Sequence, residues 1–131
     1  MAEKKVLSLA TLIKEKAKFK LGEETKTAEL KVDRLDSLIT IEIPDTQLCM
    51  DALNAKDDDT GAKSDDYLVY TIMKEPNLKD PELQKAYECT EPTDIVEMIF
   101  TRGEIADIAA YALDAAGFKR GTVKAVETLK N

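Results

Sequence analysis

The sequence predicts an α+β fold in which helices predominate, packed as a single domain. Three observations carry that expectation. Apolar residues recur at helical spacing through most of the chain after residue 45. Residues 25–43 change instead to a half-alternating, β-branched pattern on either side of a short polar turn. The 131 residues, 44% hydrophobic and 34% charged, suit one domain with a core of its own, and no linker divides them.

Taken in order, the first segment, 1–22, is expected to hold a helix able to move apart from the rest. From Ser8 to Lys20, Leu9, Leu12, Ile13 and Phe19 alternate with lysines, Ser8 and Thr11 are suitable N-caps, and Gly22 ends the segment. The hairpin, 25–43, sets Thr27, Leu30 and Val32 on one run and Leu38, Ile39, Ile41 and Ile43 on the other. Asp33–Asp36 forms the turn between them, and Pro44 closes the second strand. About five short-to-medium helices then fill the body, 45–131. Asp45 or Thr46 caps a helix with the stripe Leu48, Cys49, Ala52 and Leu53, which runs out in an acidic loop over 56–63. Ser64 or Asp65 opens the next, which Glu75-Pro76 stops. Pro81 and Pro92 each suit the first turn of a helix, the second running through Thr93–Thr101. The clearest amphipathic helix is Glu104–Ala116, with Ile105, Ile108, Ala109, Ala112, Leu113 and Ala116 on one stripe and Gly117 as its C′ residue. A last helix, Thr122–Leu129, carries Val123, Val126 and Leu129 at helical spacing.

Charge and composition exclude several functions. Histidine is absent, so there is no Ser-His-Asp or Cys-His nucleophile system and no His-containing zinc site. The formal net charge is −7, unevenly spread: residues 1–35 carry nine basic and six acidic side chains, residues 36–131 ten basic and twenty acidic. An acidic chain with pI near 4.7 lacks the basic face that neutralises phosphates, so no nucleic acid is expected as a partner. No apolar run approaches the roughly 20 residues that span a bilayer, and the N-terminus lacks a secretory pattern. The chain therefore reads as soluble, intracellular and non-enzymatic, with no cofactor.

Motifs that invite chemistry fail on their spacing. Cys49 and Cys89 stand alone, without a CxxC or a His base, and read as free thiols. The run Asp57-Asp58-Asp59-Thr60-Gly61 puts Gly61, Ala62 and Leu68 where an EF-hand loop needs an oxygen ligand, a glycine and a glutamate. It reads as a solvated turn. Asp65-Asp66, Asp94 with Glu97, and Glu104 with Asp107 fall in first helical turns, where acids stabilise the positive end of the helix dipole. No catalytic residue and no metal ligand is expected.

Several blocks together carry a resemblance. Glu75-Pro76-Asn77-Leu78-Lys79-Asp80-Pro81-Glu82-Leu83-Gln84-Lys85-Ala86-Tyr87 is spaced ahead of Glu91-Pro92-Thr93-Asp94-Ile95-Val96 and Phe100-Thr101-Arg102-Gly103-Glu104-Ile105-Ala106. With the Leu-Asp-Ser-Leu-Ile-Thr-Ile strand, they resemble the XkdN-like tail assembly chaperones of phages and prophages of Gram-positive bacteria, over nearly the whole chain. The resemblance implies a morphogenesis factor of the host bacterial cytoplasm, absent from the finished virion. Such a factor coats the tape measure protein, keeps it soluble and brings in tail tube protein. It also implies a longer form made by −1 frameshifting, and self-association. The C-terminal Leu129-Lys130-Asn131 is compatible with a slippery A AAA AAC at the end of a short reading frame. The other reading is a minor structural or adaptor component that stays in the tail.

A chaperone without ATP needs exposed apolar surface on a soluble body. The residues expected to supply it are Ile95, Val96, Met98, Ile99 and Phe100, which occupy more than one face of the helix 92–101, and Val123, Val126 and Leu129 of the last helix. The same faces would suit a core, since helices apolar all round are usually buried.

Overall fold

The computed structural model describes residues 6–19, 26–54, 62–118 and 121–126. The chain opens on two short helices, α1 (Leu9–Lys14) and α2 (Lys16–Phe19). Ser8 starts the first: its hydroxyl oxygen accepts from the Thr11 backbone N–H at 3.1 Å, satisfying one of the orphan donors of a first turn. The single helix expected from Ser8 to Lys20 is interrupted at Glu15, whose backbone leaves the helical region. Gly22 lies outside the described residues.

The hairpin forms as expected. β1 (Thr27–Val32) and β2 (Ser37–Glu42) run antiparallel, with Leu30 opposite Ile39 and Val32 opposite Ser37. One turn of 3-10 helix, Asp33–Leu35, joins them, and Asp36 takes the left-handed φ of 46° that closes it. Period-2 alternation then delivers Val32, Ile39 and Ile41 to the core.

A third strand was not expected. β3 (Met73–Glu75) pairs antiparallel with the far side of β2, with a register shift at Thr40/Ile41. It follows directly on α4 (Ala62–Ile72), so the helix predicted to run on to Glu75-Pro76 stops at Ile72. The sheet order is β1-β2-β3, which leaves β1 as an edge.

Among the described residues, five helices make the body: α3 (Thr46–Asn54), α4, α5 (Pro81–Ala86), α6 (Asp94–Ile99) and α7 (Arg102–Leu113), the last running into a π-helical turn, Asp114–Phe118. α4 packs against α3, α6 and α7. Leu68, Val69 and Ile72 of α4, Ile95 and Val96 of α6, and Ile105, Ile108, Ala109 and Ala112 of α7 meet Ile39 and Ile41 of the sheet in one core. Some predicted boundaries hold and others move: α4 begins at Ala62 rather than at Ser64 or Asp65, Pro92 lies ahead of α6 with Thr93 as its N-cap, and α7 begins at Arg102 rather than at Glu104. Asp80 accepts from the Glu82 and Leu83 N–H groups ahead of Pro81, and Gly117, at φ 97°, turns the chain out of α7.

Two expectations need correction or fall outside. The helix predicted over Thr122–Leu129 is not helical across 122–126, and residues 127–129 lie outside the described residues. Val123 and Val126 sit three apart, but neither packs on the core, and propensity alone rarely holds so short a helix. Of the predicted acidic loop, 56–61 lies outside the described residues, while Ala62 and Lys63 begin α4.

Candidate functional site

The structure divides the eight predicted partner-binding residues. Ile95, Val96 and Phe100 are core: the two aliphatic side chains are 0% exposed, so no partner reaches them in this fold. The helix is apolar on more than one face because it is covered on more than one face. Ile99 is half-buried against the same core. Met98 stays 47% exposed, with its Sδ 3.9 Å from Cys89 Sγ. Val123 and Val126 are exposed, and Leu129 lies outside the described residues.

Among the described residues, the longest run of exposed apolar side chains lies elsewhere, over 6–13. Leu9, Leu12 and Ile13 fall at i, i+3 and i+4 of α1, on one face, and no residue of that helix is buried. Leu9 is 75% and Ile13 67% exposed, with Val6 and Leu7 exposed just before them. The sequence shows the stripe; it does not show whether anything covers it. Lys14, Lys16 and Lys18 follow, so the stripe adjoins the basic part of an acidic chain.

A second feature joins segments far apart in sequence. β1 and α7 flank an open groove of about 360 Å³ with Leu30, Val32, Ile108 and Tyr111 among its lining residues. Arg34 links the two sides. Its Nε and Nη2 donate to the two Glu104 carboxylate oxygens at 3.0 and 2.9 Å, and Nη2 also donates to the Ile99 carbonyl at 2.7 Å. Such two-pronged pairing fixes orientation as well as distance. Glu104 is held from its own helix too: it accepts from the Thr101 N–H at 2.8 Å, while the Thr101 hydroxyl accepts from the Glu104 N–H. Hydrogen bonding to Arg34, then to the Thr101 backbone, lowers the Glu104 carboxyl to about 2. The same carboxylate raises the Arg34 guanidinium.

A further clamp lies behind α7. Arg102 donates to the mostly buried Asp66 of α4 at 2.9 Å and to Glu97 of α6 at 3.1 Å, tying three helices together. Asp66, Glu97 and Glu104 are thus each held by an arginine. Among the described residues no group of three His, Cys, Asp or Glu side chains converges as it would to hold a metal ion. Cys49 and Cys89 are free thiols, and burial, aided by Asp45, pushes the Cys49 thiol up and so keeps it protonated. Among the described residues no helix is long and apolar enough to cross a membrane.

The family model for the phage XkdN-like tail assembly chaperone protein matches residues 17–130. The chain belongs to that family. No curated protein and no solved structure matches it. The match covers the sheet and α3–α7 of this tail assembly chaperone, together with most of α2. It leaves α1, with its uncovered apolar stripe, outside.

Proposed function

We propose that this tail assembly chaperone binds the tape measure protein in the host cytoplasm, keeps it soluble and helps recruit tail tube protein, without catalysis and without remaining in the virion. The observation that carries the reading is the bare apolar face of α1 on a chain of net charge −7. Apolar anchors at i, i+3 and i+4 suit the groove between partner helices, and the surrounding charge keeps the complex dissolved. Met98, Val123 and Val126 extend the accessible apolar surface on the body, whereas Ile95, Val96 and Phe100 hold its core. A longer frameshifted form of the chain belongs to the same reading through the family resemblance, and Leu129 through its spacing with Val123 and Val126.

Co-expression with the tape measure protein tests it. The wild-type chain is expected to raise the soluble fraction of the tape measure protein and to co-purify with it, and Leu9→Asp/Ile13→Asp to lose both effects while still folding. A tape measure protein that stays insoluble, or that is rescued equally by the double variant, overturns the assignment to α1. Abundant peptides of this chain in purified virions would favour a resident tail component instead.

A further inference from the structure

β1 is an edge strand whose outward backbone groups can be read from its register. The Ile43 N–H donates to the Lys26 carbonyl at 2.7 Å, which marks Lys26 and Ile43 as a hydrogen-bonded pair. Antiparallel pairs alternate, so Ala28, Leu30 and Val32 also turn their N–H and C=O groups to β2. Those of Thr27, Glu29 and Lys31 point away from it, and among the described residues no strand lies on that side. The side chains alternate in step: Thr27, Glu29 and Lys31 are exposed, while Ala28, Leu30 and Val32 turn towards the core.

The order of charges along this edge makes it complementary to itself. An antiparallel copy placed about a two-fold axis at Leu30 sets Glu29 opposite Lys31 of the second copy, and Lys31 opposite its Glu29. Both are residues with outward N–H and C=O groups, so these become the hydrogen-bonded pairs of the new ladder. On the inner face, Leu30 meets its own counterpart and Ala28 meets Val32. These apolar side chains would extend the sheet beside the groove between β1 and α7, where Tyr111 is exposed. The pair Lys31–Asp36 at 3.5 Å is no obstacle, since Asp36 is almost wholly exposed and such contacts hold weakly. We propose that two copies of the chain associate through β1, forming one continuous antiparallel sheet in this register.

Sedimentation velocity of the full chain over a concentration series, with charge-reversed variants, tests the proposal. A monomer–dimer equilibrium is expected for the wild type. Glu29→Lys and Lys31→Glu each place like charges opposite in both symmetry-related pairs and should weaken association by roughly tenfold. Mixing these two variants restores opposite charges at both pairs, so a heterodimer should form with affinity within about threefold of the wild type. The double reversal Glu29→Lys/Lys31→Glu should recover in the same way. Glu29→Pro removes an N–H that the β1–β2 ladder does not use, so it should abolish dimerisation while the far-UV spectrum and melting cooperativity persist. A wild-type monomer at the highest concentration overturns the proposal. So does a dimer indifferent to Glu29→Pro, or single variants that fail to complement each other.

Discussion

α1 and α7 are built from the same plan and meet opposite fates. Each starts with a hydroxyl cap, Ser8 or Thr101, and each carries apolar residues at i, i+3 and i+4. Yet Ile105, Ile108, Ala109 and Ala112 are buried, while Leu9, Leu12 and Ile13 have no buried neighbour on their helix. Helical spacing creates an apolar face; only tertiary packing decides whether the molecule covers it. The body covers its own. Among the described residues nothing covers the face of the leading segment, which is why the proposed docking function is placed there.

The contrast breaks most sharply at α7. Ile105 is 0% exposed at the junction of helix and core, so Ile105→Ala removes buried methylenes and leaves a cavity. The expected loss is about 2–5 kcal/mol, read as a lower denaturation midpoint with an unchanged m-value. A loss below about 0.5 kcal/mol, the range of ordinary surface changes, would show that α7 is not part of the cooperative core.

A smaller effect comes from the Arg34–Glu104 bridge, which fastens the hairpin turn to that same helix. The Glu104 carboxyl is lowered to about 2, from an ordinary 4.5, because the bonds to Arg34 and the Thr101 backbone favour its charged form. That contribution is full above pH 4.5 and is lost as pH falls through 2. Glu104→Gln should therefore be less stable than wild type at neutral pH, and the gap should close as the pH falls through this window. Added salt should narrow the neutral-pH gap as well, since the pair meets solvent. A gap constant from pH 7 to 2 would remove the bridge from the account of acid stability.

Much of this architecture is legible in the sequence, and the gaps share a physical cause. The hairpin, the Asp80-Pro81 start, the Asp45 carboxylate that accepts from the Leu48 N–H at the start of α3, and the Gly117 exit each depend on residues close in the chain, so local chemistry announces them. β3 depends instead on Thr40 and Ile41, which draw Met73–Glu75 out of a run with helical spacing. The Arg34–Glu104 bridge closes over 70 positions, and nothing in either neighbourhood points to the other. Ile95, Val96 and Phe100 look equally suited to a partner and to a core until α4 and α7 are seen against them. Val123 and Val126 show the reverse error, in which spacing without cover makes no helix.

The least effect of all is expected at the apolar stripe of α1. Leu9→Ser and Ile13→Ser remove large aliphatic side chains from a helix with an N-cap, a basic last turn and the spacing of an interior face. Were α1 packed on the body, each change would cost about as much as Ile105→Ala. Because both side chains already face solvent, each should shift global stability by no more than about 0.5 kcal/mol in thermal or denaturant melts. Removing exposed apolar groups should also leave the chain at least as soluble as before. A loss of about 2 kcal/mol from either change would mean that α1 docks on its own body, and the stripe would then be a late-closing part of the core rather than a surface held open for a partner.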